Sequence, residues 1–238
     1  MNPYDEIAEC YARTADKPDK AYATLPTILA LAGRLDGKTV LDLGCGDGYF
    51  TRPLAQQGAA TVIGIDRSAK QIALAKATAS DNIDYRLADA FLDPLSKANV
   101  INCPYILNEI ADVSALADFF RRLFAALNPR GALILVYDKP AGRDHRKFGA
   151  VKTVSAYEDG ASLRVDLYDR DKPICSLNLT YFTEETIIRL LRESGFQNIR
   201  THQPIVSEEG KRAMGEAFWD GYFENSELGY LTAEKEKE

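Results

Sequence analysis

Residues 39–50 have the sequence T-V-L-D-L-G-C-G-D-G-Y-F, and this stretch decides the fold of the 238-residue chain. It opens with an apolar, β-branched run that predicts a strand buried on both faces of a parallel sheet. Three glycines then follow within five residues, which permits a tight turn with positive φ and lets a ligand approach the backbone. A helical pattern begins at Tyr49 and ends at Gly58. The stretch therefore predicts backbone N–H groups at a helix N-terminus, where polar ligands bind; a plain βα turn is the alternative.

Two details indicate which ligand this turn binds. The dinucleotide fingerprint is Gly-x-Gly-x-x-Gly, but here Gly48 comes one residue early and Tyr49 stands in the expected glycine position. An acid, Asp42, also precedes the first glycine by two residues. This pattern resembles motif I of the class I S-adenosylmethionine (SAM) methyltransferases, D-x-G-C-G-x-G. The resemblance implies that Gly44, Cys45 and Gly46 pass under the methionine part and ribose of SAM, and that Asp42 holds the ammonium end through water.

The bulk composition limits the classes of partner. The net charge of −6 lacks the basic footprint that nucleic acid requires, and no apolar run reaches the length of a membrane span. No N-terminal signal is evident, the four cysteines lie far apart without a C-x-x-C pair, and only two histidines occur. We therefore expect a cytoplasmic protein with no metal, nucleic-acid or membrane partner, and we leave a homodimer open.

A second acid follows the next predicted strand, residues 61–66. Asp66 lies 22 positions after Gly44, close to the spacing at which a carboxylate reaches a ribose diol, and it accepts two hydrogen bonds there. The alternative is an acid that caps the following helix. Ser68 and Gln71 already form a capping box for that helix, which favours a ligand role for Asp66. The resemblance also assigns neighbouring residues to the cofactor: Arg67, and Ile72 against the adenine ring.

The third and fourth predicted strands, residues 83–86 and 99–103, lead to further site residues. The resemblance makes Asp89, Ala90 and Phe91 the adenine segment, with the Asp89 carboxylate accepting from the exocyclic amine and the Ala90 N–H bonding a ring nitrogen. Ligands of open α/β sheets bind beyond the carboxyl ends of the strands, which puts Cys103, Pro104 and Tyr105 beside the reactive methyl group. The N/D-P-P-Y pattern of methyltransferases that act on nucleic-acid bases or protein amides is absent.

The chain before the first strand, residues 1–36, is expected to form a helical lid. Tyr4 and Tyr11 recur at helical spacing in a pattern similar to the lid helix of small-molecule methyltransferases. Tyr11 then contacts either the cofactor or the core. A break is expected between Ala15 and Lys20, a polar segment that contains Pro18.

The chain after the fourth strand divides into further predicted elements. A helix is expected to start at Ser114 and a fifth strand to span Gly131 to Tyr137, completing a SAM-binding core over residues 37–138. Residues 139–182 contain three strand patterns and predict an inserted antiparallel hairpin or small sheet that covers the site, or else an extension of the main sheet. Residues 183–238 predict a helix, a strand and a helix over Glu208 to Gly229, whose aromatic residues either line an acceptor pocket or dock the tail.

These patterns predict one domain of the α/β class: a doubly wound, mostly parallel sheet with an N-terminal lid and an antiparallel insertion. The expected reaction is methyl transfer from SAM to an N, O or C nucleophile of a small molecule, giving S-adenosylhomocysteine (SAH). The candidates for a general base are Tyr105, Asn108, Glu109, Tyr137 and His145. A non-catalytic SAM- or SAH-binding protein is the alternative, and Tyr49 disfavours a nicotinamide oxidoreductase.

Overall fold

The computed structural model describes residue 14 and residues 17–169, 172–224 and 226–236. The predicted helix that carries Tyr4 and Tyr11, and with it the proposed contact of Tyr11, lies outside these residues.

A seven-stranded, mostly parallel sheet forms the centre of the described chain. Its strands are β1 (Thr39–Leu43), β2 (Thr61–Asp66), β3 (Ile83–Leu87), β4 (Ala98–Pro104), β5 (Leu127–Asp138), β10 (Gln197–His202) and β11 (Leu228–Glu234). Their order across the sheet is β10-β11-β5-β4-β1-β2-β3. Strands β1 to β5 are parallel, whereas β11 is antiparallel to both of its neighbours. The predicted fold class is confirmed.

The strand order reverses between β1 and β4. The chain moves outward through β2 and β3 and returns to the other side of β1 as β4 and β5. Strand β1 is buried because apolar side chains such as Val40 and Leu41 face helices on both sides. A reversal of this kind leaves a crevice at the carboxyl ends of the two strands, which here means beside Gly44 and Tyr105.

Helices cover both faces of this sheet. They are α1 (Leu25–Ala32), which a π-helical turn at Lys20–Thr24 precedes, α2 (Thr51–Gln56), α3 (Ala69–Lys76), α4 (Val113–Ala126), α5 (Glu184–Glu193) and α6 (Glu208–Met214). Short 3-10 turns occur at Leu107–Glu109, Arg146–Phe148 and Glu216–Trp219. As predicted, the Ser68 hydroxyl accepts a hydrogen bond from the Gln71 N–H at the start of α3.

Two predicted helix starts differ from the structure. Helix α4 begins at Val113, one residue before the predicted Ser114, because the Asp112 carboxylate caps it by accepting from the Ala115 N–H at 2.9 Å. Pro18 and Asp19 are helical, so the described part of the predicted break instead begins the helix. Proline fits there because the first turn of a helix does not use its N–H groups.

The chain end also differs from the prediction of one helix over Glu208 to Gly229. That helix ends at Met214, and strand β11 fills the position between β5 and β10. Without β11, the backbone N–H and C=O groups on the edge of β5 that faces away from β4 would lack partners. Burial of Tyr230, Leu231 and Ala233 in the core adds to this pairing.

The inserted segment forms a separate four-stranded antiparallel sheet, as expected for a cover rather than for an extension of the main sheet. Its strands are β6 (Asp144–His145), β7 (Ala150–Val154), β8 (Ser162–Asp169) and β9 (Lys172–Thr180). Asn108 joins the two sheets, because its Nδ2 donates to the Thr180 carbonyl at 2.8 Å and its Oδ1 accepts from the Asp138 N–H at 2.9 Å. The side chain of Asn108 is fully buried.

We expect Asn108→Ala to lower the free energy of unfolding by about 2–4 kcal/mol, because each buried backbone group left without a partner costs about 1–3 kcal/mol. Asn178→Ala is the control, since Asn178 is exposed on β9; it should change stability by less than about 0.5 kcal/mol. Urea denaturation measures both values. Equal stability of the two variants would contradict a joining role for Asn108.

Candidate active site

The main cavity of the described chain opens at the carboxyl edge of the central sheet. The antiparallel sheet closes its opposite side. From the central sheet it is lined by Gly44–Asp47, Asp66, Arg67, Asp89–Phe91, Pro104, Tyr105 and Asp138. The cavity therefore lies where the strand order reverses, as the sequence predicted.

Side chains packed against the glycine loop, residues 44–48, fix its conformation. Gly44 has a φ of +66°, and a Cβ atom there would overlap the Ile106 side chain. Gly48 has a φ of +86°, and a Cβ atom there would overlap the Tyr85 hydroxyl. Both glycines are required, because the positive φ disfavours other residues and the side chains beneath leave no space. The loop thus presents backbone to the cavity.

Asp66 ties this loop to the next helix. One carboxylate oxygen accepts from the Gly46 N–H at 2.8 Å, and the other accepts from the Ser68 N–H at 2.8 Å. Asp66 also lines the cavity. Each carboxylate oxygen has two lone pairs, so these backbone bonds leave acceptor capacity toward a diol. Capping and cavity lining are therefore not exclusive alternatives for Asp66, which takes part in the turn before α3 and also lines the cavity.

Asp42 is fully buried beneath the loop and does not line the cavity. Its carboxylate accepts from the Thr51 hydroxyl at 2.6 Å and from the Asn102 Nδ2 at 2.8 Å. Burial raises the pKa of Asp42 to about 6. The structure therefore places Asp42 as a link between β1, β4 and α2; its contact with an ammonium group through water stays a prediction. Nothing in the sequence pattern indicated Thr51 or Asn102 as its partners.

The segment after β3 lines the cavity with Asp89, Ala90 and Phe91 together. The Asp89 carboxylate accepts from the Phe91 N–H at 2.8 Å, which shapes the turn. Ile72 does not reach the cavity; it packs beneath the glycine loop against Cys45 and other buried residues. The expected contact of Ile72 with the adenine ring therefore has no support from its position, because the side chain packs in the core.

At the end of β4, Pro104 and Tyr105 line the cavity, whereas Cys103 lies in the core, where burial raises the pKa of its thiol. Tyr105 has a φ of +66°, which is rare for an aromatic residue and is a mark of functional sites. Its hydroxyl donates to the Thr24 hydroxyl at 3.1 Å, and Thr24 in turn bonds the Tyr230 hydroxyl at 2.9 Å.

The other candidates for a general base differ in whether they line the main cavity. Glu109 lines the cavity and pairs with Arg67 at 2.7 Å. Asn108 and Tyr137 do not line it; the Tyr137 hydroxyl donates to the Glu184 carboxylate at 2.6 Å. His145 lines only a smaller neighbouring cavity, where burial lowers the pKa of its ring.

An apolar wall closes the side of the cavity opposite the glycine loop. It consists of Ala150, Val165, Leu167, Leu177, Leu179 and Leu228. Along β8 the alternation of burial turns Val165 and Leu167 inward and Arg164 outward. The sequence analysis predicted a cover but did not identify this wall, although the alternation in L-R-V-D-L was available as a signal.

Two lysines in the cavity were missed by the sequence analysis. The Lys152 ammonium lies 2.7 Å from the Asp138 carboxylate and donates to the Glu227 carbonyl at 2.6 Å. Lys20 has its ammonium 4.5 Å from the centre of the Tyr49 ring, and burial lowers the pKa of Lys20 to about 8. Both lysines are buried and line the cavity. Local sequence gave no signal for either.

The aromatic residues near the chain end dock that segment instead of lining the main cavity. Trp219 and Tyr222 are buried and pack around Phe148 of the insertion. In the described part of the chain, no group of three or more His, Cys, Asp or Glu side chains is arranged to hold a metal ion. None of the helices described is long and apolar enough to cross a membrane.

Comparisons with known proteins identify the family of this chain. The family model described as "Methyltransferase domain" matches residues 14–201. Curated relatives include the ubiquinone biosynthesis O-methyltransferases of Bradyrhizobium diazoefficiens, 35% identical over 105 residues, and of Brucella ovis, 38% identical over 107 residues. These matches cover 42% and 43% of this chain, and 40% and 41% of the relatives. The chain thus matches less than half the length of these relatives.

Solved structures give the same fold. An S-adenosylmethionine dependent methyltransferase from Mesorhizobium loti aligns with a TM-score of 0.66 at 22% identity, covering 92% of this chain and 99% of that one. A second such enzyme, from Clostridium acetobutylicum, has a TM-score of 0.62 at 16% identity, and the alignment covers 99% of this chain and 100% of that one. The DhpI–SAM–HEP complex aligns with a TM-score of 0.63 at 21% identity, and the alignment covers 97% of this chain and 93% of that one.

The family match spans most of the chain, and the mostly parallel sheet is the one that the sequence predicted. This chain belongs to the methyltransferase-domain family and has the fold of solved SAM-dependent methyltransferases.

Proposed function

We propose that this protein transfers the methyl group of SAM to an N, O or C nucleophile of a small-molecule acceptor. The observation that carries the proposal is the continuity of one cavity, which runs from the glycine loop and Asp66 to the apolar wall. A protein that only binds SAM or SAH needs the first half of this cavity. The second half provides space for an acceptor next to the cofactor, and it favours catalysis over the non-catalytic alternative.

The cofactor half fits SAM in the chemistry of its groups. Asp66 supplies lone pairs for the ribose hydroxyls, and Asp89 with the Ala90 N–H supplies an acceptor and a donor for the adenine edge. The glycine loop brings backbone close to the ligand, because side chains at Gly44 and Gly48 are excluded by packing. We infer that the methionine end lies near Pro104 and Tyr105, which line the same cavity at the end of β4.

Once bound, SAM supplies an activated methyl group, so the residues of this chain mainly align the acceptor and exclude water. The apolar wall removes water from the acceptor side, which favours attack by the acceptor over side reactions. Every wall residue except Leu228 of β11 belongs to the inserted sheet, which Asn108 joins to the central sheet. The insertion therefore both shapes the acceptor space and fixes its distance from the cofactor.

The names of the curated relatives support the acceptor class. They are O-methyltransferases of ubiquinone biosynthesis, and the similarity includes less than half of their length. We infer a small-molecule acceptor from this similarity and from the apolar wall. A cytoplasmic location is also proposed, from the dispersed cysteines, of which Cys45 and Cys103 are buried thiols. A homodimer stays an untested prediction.

We expect SAH to raise the melting temperature and NAD to leave it unchanged, because the glycine loop lacks the dinucleotide spacing. A ligand of the native state at about 100 times its Kd adds roughly 2.7 kcal/mol. Differential scanning calorimetry measures the shift, and mass spectrometry of co-purified small molecules checks the cofactor independently. Stabilisation by NAD alone would refute the proposed cofactor.

We expect Asp66→Asn to weaken SAH binding by on the order of 1.5–3 kcal/mol, because a neutral amide replaces a charged acceptor of the ribose hydroxyls. Some loss of stability is also expected, since Asp66 accepts from Gly46 and Ser68. The matched control is Asp84→Asn, on the exposed edge strand β3, where the carboxylate pairs with Arg86. Isothermal titration calorimetry at a temperature where all variants are folded gives the affinities. If both variants bind SAH like the parent protein, Asp66 is not a ribose ligand.

A further inference from the structure

We propose that Asp138 accepts a proton from a hydroxyl group of an apolar acceptor during methyl transfer, and that Lys152 positions Asp138 for this step. The inference rests on the proposed methyltransferase function and narrows its acceptor class to molecules that combine an apolar body with a hydroxyl group.

Strand register puts Asp138 next to the expected position of the methyl group. Val136 of β5 pairs with Pro104 of β4, and the Val136 carbonyl accepts from the Tyr105 N–H at 2.7 Å. Asp138 is the last residue of β5, two positions further toward the cavity. It is buried from bulk solvent and lines the cavity on the same sheet edge as Pro104 and Tyr105.

Several contacts hold the Asp138 carboxylate in one orientation. The Oδ1 atom of Asp138 lies 2.7 Å from the Lys152 ammonium. The backbone N–H of Asp138 donates to Oδ1 of Asn108, which fixes the backbone at this position. Lys152 is itself held by the Glu227 carbonyl at 2.6 Å. The ion pair keeps the carboxylate turned toward Lys152 at the edge of the cavity. A charged, oriented carboxylate is the form that takes a proton.

The surroundings favour a neutral acceptor. The apolar wall adjoins this ion pair, because Val165 pairs with Lys152 and Leu228 pairs with Asp138, and its side chains offer no hydrogen bonds to a polar acceptor body. The carboxylates of the cavity near this end have cationic partners: Asp138 with Lys152, and Asp19 with Lys17 at 3.5 Å. An ammonium acceptor would need a carboxylate that is not already neutralised, whereas a hydroxyl group needs only one hydrogen-bond acceptor and a nearby positive charge.

The step balances in atoms and charge. A lone pair of the acceptor oxygen attacks the methyl carbon, the C–O bond forms, and the C–S bond breaks with its electrons remaining on sulfur to give SAH. The hydroxyl proton passes to the Asp138 carboxylate. The positive charge of Lys152 stabilises the negative charge that develops on the acceptor oxygen as the proton leaves.

A probe panel tests the acceptor class without any variant. The hydroxyl probes are propylphenol, naphthol and phenylphenol, and each has a matched aromatic amine. With SAM present, mass spectrometry should detect methyl ethers from at least one hydroxyl probe and no methylated amine. Binding of SAH without methylation of any hydroxyl probe would overturn this inference and leave the proposed function intact. Failure to bind SAH would instead overturn the proposed function.

Variants test the roles of the two residues on the best hydroxyl probe. Asp138→Asn should lower kcat by about 10²–10⁴-fold, the usual contribution of a general base, with little change in SAH affinity. Lys152→Met should also lower kcat, and Lys152→Arg should restore part of it because the positive charge returns. Asp166→Asn is the control, since Asp166 pairs with Arg164 away from the cavity. Unchanged kcat in a folded Asp138→Asn protein would overturn the role of Asp138, and equal loss in Lys152→Met and Lys152→Arg would overturn that of Lys152.

Discussion

The close packing of Gly44 on Ile106 is the contact on which the site depends. It brings the ends of β1 and β4 together at the point where the strand order reverses, and it leaves no space for a side chain at Gly44. The glycine loop must therefore turn sharply, and Asp66 holds it there through the Gly46 N–H. The crevice exists because the backbone is fixed on both sides of this turn.

The second constraint is the attachment of the inserted sheet. Asn108 bonds backbone groups of both sheets, and the Lys152–Asp138 pair spans the same junction. A buried ion pair contributes little net stability after its desolvation, so stability alone does not account for its presence. It does fix the insertion over the crevice, and it places a charged carboxylate where the apolar wall meets the end of β5.

Local sequence was sufficient for the cofactor half of the site. The runs before Gly44 and Asp66 are apolar and β-branched enough to specify strands, and in a parallel sheet their ends must meet at one edge. Asp66 was therefore expected at the cavity from order and spacing, and Asp89 and Ala90 from the family resemblance; all three line the cavity, and their contacts with the cofactor stay predictions. Ile72 packs beneath the glycine loop instead, because a position on a helix does not determine which neighbour its side chain contacts.

Only the tertiary structure decided the acceptor half. The sequence by itself determined the α/β class, the glycine turn and the inserted strands, since each depends on interactions between residues near in sequence. Three contacts join segments that are far apart along the chain: Asp138 with Lys152, Lys20 with Tyr49, and strand β11 with β5. Such contacts depend on which surfaces remain unpaired after the sheet forms, and no local pattern records that.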